Sequence, residues 1–199
     1  MTDQLRFRIL GCGSSGGVPR LGGNWGACDP NNPKNARTRC SLLVERQSKN
    51  GRTQVLIDTS PDMRAQLLQA QVGRLDAVLY THDHADHVHG LDDLRMIVFN
   101  RRSRLPVWAN QVTSAGLLSR FSYAFKQPEG SAYPPILELN HIEGPVKVDG
   151  AGGQAIRALL NVPAEEQLTN AGGNRLHHGW VVLARISKVG LSHSTIIDI

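Results

Sequence analysis

Cysteine is scarce in this chain: three among 199 residues, Cys12, Cys28 and Cys40. They form no C-x-x-C pair and no even set, which argues against a disulfide framework and suits a reducing compartment. A stretch of about 18 consecutive apolar residues, the minimum for a membrane-crossing helix, is missing too. The opening residues, MTDQLRFRIL, lack the apolar segment and small-residue cleavage site of a secretory signal. These absences lead us to expect a cytoplasmic location and no membrane partner. Charge of one sign is only in modest excess, 22 Lys and Arg against 17 Asp and Glu. It is spread along the chain, and the short basic run NRRSR at 100–104 is of the size usually found on solvated faces. Nucleic acid is therefore not an expected partner. No internal repeat or low-complexity segment stands out.

The residues that are present suit one globular domain, with 40% hydrophobic and 20% charged residues. LRFRIL at 5–10 alternates as a strand, with Leu5, Phe7 and Ile9 on one face and Arg6 and Arg8 on the other. GCGSSGGVPRLGG follows with six glycines in thirteen residues, a loop whose backbone must turn sharply or approach another group closely. CSLLVER (40–46) and TQVLID (53–58) read as a hairpin around QSKNG, which carries an Asn-Gly turn signal. Ser60 as N-cap and Pro61 as first helical residue predict a helix through DMRAQLLQAQV. Beyond it we expect a strand in DAVLYT, a helix in GLDDLRMIVF, a strand in LPVWAN and a helix in TSAGLLSRFSYAF. Strands in ILELNHI, PVKVDG, QAIRALL and, later, WVVLARI follow.

Between the strand DAVLYT and the helix GLDDLRMIVF lies THDHADHVHG, residues 81–90, which puts four histidines and two aspartates into ten positions. At a strand end His82 and His84 point the same way, and a turn into a helix brings Asp86 and His87 beside them. Imidazole nitrogen and carboxylate oxygen together make a mixed site for zinc or a related first-row ion. One histidine alone would carry no such reading, but the H-x-H-x-D-H spacing after an apolar strand does.

Four stretches now stand in order: GCGSSGGVPRLG, KNARTRCSLLV, VLIDTSPDMR and THDHADHVHG. With them the chain resembles the metallo-β-lactamase-fold hydrolases over residues 5–157. Within that group it is most similar to the branch containing the carbon–phosphorus lyase accessory phosphodiesterase and its cyclic-phosphate-cleaving relatives. The resemblance implies an α/β fold of the αβ/βα sandwich type, two mixed sheets face to face with helices outside. It implies a pair of ions, Zn2+ or Mn2+, with His82 and His84 on one, Asp86 and His87 on the other, and Asp86 also counted as catalytic. Asp58, ending the strand VLID, matches an acidic position that orients a ligand. The implied reaction is hydrolysis of a small phosphate ester, cyclic ones included, by metal-activated water. Lactonase, thioesterase and tRNA 3′-processing nuclease activities share the motif and stay open, as does an inactive or weakly active metal-binding remnant. A homodimer is compatible with all of them.

The resemblance has two gaps. The family's closely spaced cysteines for a second, structural zinc are absent: Cys28 stands alone in GGNWGACDPNN. The family's further ligands, two histidines and a bridging aspartate, have no counterpart in LNVPAEEQ or beyond. His141, His177, His178 and His193 fall in other contexts and read as surface histidines. We therefore expect residues 1–157 to form the family domain and residues 158–199 to be a divergent tail, from truncation or a shifted frame. The second half of the fold would then be incomplete and the metal weakly retained.

Overall fold

The computed structural model describes residues 3–153, 156–158 and 195–198. A seven-stranded mixed sheet dominates it. Its strands are β1 (Gln4–Gly11), β2 (Ser41–Ser48), β3 (Gly51–Ile57), β4 (Ala77–Leu79), β5 (Leu105–Ala109), β6 (Leu137–His141) and β9 (Thr195–Asp198), in the order β6-β5-β4-β3-β2-β1-β9. A second sheet pairs β7 (Val146–Val148) with β8 (Ile156–Ala158). Four α-helices are described: α1 (Met63–Gln69), α2 (Ala85–Val88), α3 (Leu94–Arg101) and α4 (Gln111–Phe125).

The period-2 pattern of each strand feeds two separate cores. Leu43, Leu56 and Val78 point to the face covered by the helices, where they meet Leu67, Leu94 and Leu117. Their neighbours Leu42, Val44, Val55, Ile57, Ala77 and Leu79 point to the opposite face, with Ile142 and with Val146 and Val148 of β7. Burial on both faces explains why these strands read as nearly continuous apolar runs rather than clean alternation. The layers agree with the αβ/βα sandwich: helices, a first sheet, and then the second sheet beginning with β7.

Topology decides where a site is built. β3, β4, β5 and β6 run parallel, so their carboxyl ends share one edge. In open α/β sheets that edge is where ligands sit. Asp58 follows β3, the histidine motif follows β4, Asn110 follows β5, and His141 ends β6.

Several expectations need adjustment. The helix expected to begin at Pro61 begins at Met63, and Ser60 does not cap it. Ser60 Oγ instead accepts the Asp62 amide at 3.0 Å in a tight turn. Asp62, at the capping position, makes no side-chain cap bond because its carboxylate is taken by Arg39, whose Nε and Nη2 donate to it at 2.8 and 2.6 Å. β4 ends at Leu79, so His82 and His84 stand in the loop after the strand rather than on it. β9 lies parallel to β1 at the sheet edge, in a stretch where no strand was expected. WVVLARI, His177, His178 and His193 lie outside the described residues.

Candidate metal centre

Asp58 organises the site. It is 4% exposed and holds a left-handed backbone, φ 60°, uncommon outside glycine. The sheet imposes that conformation: the Asp58 amide donates to Leu79 O at 2.9 Å, and Ser41 Oγ donates to Asp58 O at 3.0 Å. The strained turn carries the carboxylate off the end of β3 and across to the motif after β4. There Oδ1 accepts the Thr81 amide at 2.8 Å. Oδ2 accepts the Thr81 hydroxyl and His87 Nδ1, each at 2.7 Å.

Those bonds assign the ring protons. His87 Nδ1–H donates to the carboxylate, so in the neutral ring the lone pair lies on Nε2. Thr81 Oγ1 spends its proton on Asp58 and accepts His82 Nδ1–H at 2.9 Å, which places the His82 lone pair on Nε2 as well. One carboxylate thereby sets two imidazole tautomers, one directly and one through a hydroxyl. A carboxylate behind a ring N–H is what orients metal-ligating histidines generally.

His87 is 6% exposed. Burial alone would lower its pKa, but the hydrogen bond and charge of Asp58, with the charge of Asp86, outweigh burial and hold it above the ordinary histidine value. The ring centroids of His82 and His84 are 4.5 Å apart, and those of His82 and His87 4.1 Å. His87 Nε2 and Asp86 Oδ2 are 3.4 Å apart. Two ligand atoms about 2.0–2.2 Å from one tetrahedral ion are about 3.3–3.6 Å from each other, so this pair has ligand spacing. The donor chemistry therefore fits a divalent ion. Among the described residues, however, no group of three or more His, Cys, Asp or Glu side chains is set to hold one ion. The motif supplies neighbouring donors in pairs.

α2 has only four residues and is locked from below by Thr59. The Thr59 amide donates to His87 O at 2.8 Å, its hydroxyl to Val88 O at 3.2 Å, and its carbonyl accepts the Gly90 amide at 2.9 Å. Tyr80 Oη, fully buried, joins the Thr59 hydroxyl at 2.8 Å, and burial drives its pKa far above the usual phenol range. Gly90 is required by close approach, since a Cβ there would overlap Ser60 O.

Cys40 stands near the site, where its thiol donates to Gly13 O at 3.4 Å. Burial pushes its pKa up, and Asp58, Cys12 and Asp86 add to the shift, which keeps it a thiol rather than a metal-seeking thiolate. All three cysteines are free. His141 is exposed, with Nδ1 3.4 Å from Ser114 Oγ.

The structure thus brings His82, His84, Asp86, His87 and Asp58 together. Sequence reading missed Thr81, Thr59 and Tyr80. Thr81 carries a local signal, a hydroxyl residue immediately before the motif, whereas Thr59 and Tyr80 depend on which strand ends are neighbours.

The sheet, its helix layer and this carboxylate–histidine edge define the metallo-β-lactamase fold. The chain belongs to the beta-lactamase superfamily domain family, whose model matches residues 53–189. Among solved structures it is similar to a diphosphatase of the PhnP family: 34% identity, TM-score 0.60, covering 77% of this chain and 55% of that one. It also resembles Zn(2+)-bound PqqB from Methylobacterium extorquens in fold, at 22% identity and TM-score 0.52, covering 72% and 48% of the two chains. Among curated proteins it is 40% identical over 141 residues to an octanoyltransferase of Porphyromonas gingivalis, covering 70% of this chain and 27% of that protein. The chain thus spans about a quarter of that curated relative and about half of the diphosphatase. Among the described residues no helix is long and apolar enough to cross a membrane.

Proposed function

We propose that this chain is a metal-dependent hydrolase that cleaves phosphodiester bonds in a small phosphate ester. The observation that carries the reading is the Asp58 carboxylate bonded to His87 Nδ1 at 2.7 Å and, through Thr81, to His82. Buried carboxylate behind imidazole is costly to assemble for structure alone, and it leaves donor lone pairs on Nε2 where divalent metal chemistry needs them. His82 and His84 would hold one ion, Asp86 and His87 a second, Zn2+ or Mn2+. When bound, such ions neutralise phosphoryl charge and lower the pKa of water. The chain's own residues set the tautomers, keep the Asp58 end of the site dry and aim the donors. The 34% identical diphosphatase supports phosphate chemistry over the other activities of the fold.

The test is a hydrolysis screen with Zn2+ or Mn2+ supplied. Bis(p-nitrophenyl) phosphate is compared with a lactone, an octanoyl thioester and a precursor tRNA. Metal-dependent turnover of the phosphodiester, lost in His84→Ala, is the expected result. Turnover of only the lactone, thioester or RNA would sink the reading. A second reading is a metal-binding chain with little turnover. Zinc uptake with no hydrolysis of any of the four would select it.

A further inference from the structure

Helix α4 touches the histidine motif at two places, Asp83 and His89. Arg120 Nη2 donates to the backbone carbonyl of Asp83 at 2.6 Å and also to its carboxylate Oδ2, while Arg120 Nε donates to Gly116 O at 3.2 Å. The guanidinium is thus braced on its own helix and grips Asp83 by both main chain and side chain. One residue further, the Phe121 ring meets His89 edge to face, with centroids 5.8 Å apart. Gly116 occupies the interior of α4, where glycine weakens a helix. Its reason is spatial: a Cβ there would overlap Asp83 Oδ2 and lie 3.0 Å from Arg120 Nη2. A helix-weakening residue stands where the Asp83 carboxylate passes.

Asp83 is the residue between His82 and His84. Fixing its carbonyl and carboxylate fixes the peptide units that join the two imidazoles. Asp58 and Thr81 set the tautomer of His82 from the sheet side, yet the main-chain path from His82 to His84 is gripped from α4. We propose that Arg120 is a positioning residue for the metal centre. Acting through Asp83, in space that Gly116 leaves open, it holds the His82–Asp83–His84 loop so that both imidazoles face one divalent ion. This rests on the metal reading of the motif.

The experiment uses the full chain and its Arg120→Ala, Arg120→Lys and Gly116→Ala variants. Zinc affinity is measured by competition with a chromogenic chelator, the Co2+-substituted proteins by visible absorption, and metal-free stability by thermal unfolding. Groups that orient metal ligands typically change affinity 10–100-fold when lost. Arg120→Ala is expected to weaken zinc about 10-fold and alter the Co2+ bands. Its metal-free unfolding should change little, because the pair is about a third exposed, 36% and 35%. Arg120→Lys, which keeps the charge but not the planar fork of the guanidinium, is expected to recover part of the affinity. Gly116→Ala is expected to act like Arg120→Ala with the arginine still present. Wild-type affinity and an unchanged Co2+ spectrum in Arg120→Ala would overturn the proposal, as would a loss of affinity matched by an equal loss of metal-free stability. Failure of the wild-type chain itself to bind zinc would overturn the metal reading first, and is distinguishable from both.

Discussion

Asp58 shows how much one residue can be asked to do. Its backbone turns at φ 60° and its carboxylate takes three donors. Asn tolerates the left-handed region and matches the size of Asp, so Asp58→Asn tests the carboxylate alone. It is expected to weaken zinc binding about 10–100-fold. In the metal-free protein, nitrogen-15 spectra of the imidazoles should show His87 losing its fixed Nδ1–H tautomer. Unchanged spectra and affinity in that variant would remove Asp58 from its orienting role. Protons compete for the same nitrogens. Because the His87 pKa is raised, zinc affinity is expected to begin falling at a pH higher than the ordinary histidine value of about 6.5 would give. A titration in which affinity holds down to a pH well below that value would contradict this.

The Asp62–Arg39 pair gives a second residue-scale expectation. The Arg39 hydrogen bond holds the Asp62 carboxyl below its ordinary value, against the upward pull of partial burial. A depressed folded-state pKa stabilises above the unfolded value of about 3.9, and the contribution is lost as pH falls through the folded value. Asp62→Asn should therefore lower stability at neutral pH, and the difference from wild type should shrink in urea titrations as pH falls below the ordinary carboxylate value. A pH-independent difference would mean that packing, not charge, is what the variant loses. Asp58 was legible in the sequence as an acid at a strand end. The Arg39 partner was not, since nothing local indicates that a capping aspartate is claimed by an arginine 23 residues earlier.

At the scale of elements, α2 is the informative case. Four residues cannot sustain a helix alone, so its position comes from the Thr59 bonds to His87 and Val88 and from the close passage of Gly90 over Ser60. Gly90→Ala forces a methyl into that passage, where the Met63 Cβ is also 3.1 Å away. Overpacking of this kind costs about 1–3 kcal/mol, read as a lower urea midpoint. An unchanged midpoint would mean that the passage is loose. Strands β1 to β8 and the longer helices were readable, the central strands as short apolar runs because both sheet faces are buried, whereas β9 was not. The start of α1 was not, because Ser60 and Pro61 satisfy a tight turn as well as they would satisfy a helix start.

For the whole molecule, parallel strands β3 to β6 turn sequence separation into proximity. Asp58 and His87 are 29 positions apart and meet at 2.7 Å, and α4 returns Arg120 to a motif 37 positions earlier. The motif itself announced the ligand pairs, but the parts that orient them come from elements whose adjacency only the topology fixes. That is why the donors were legible and Thr59, Tyr80 and Arg120 were not. The most direct measurement is zinc titration of the full chain beside a His84→Ala/His87→Ala variant, followed by competition with a chromogenic chelator. Saturable uptake by the wild-type chain that disappears in the double variant is the expected result. Equal uptake by the two, or none by either, would contradict a metal centre at this edge of the sheet.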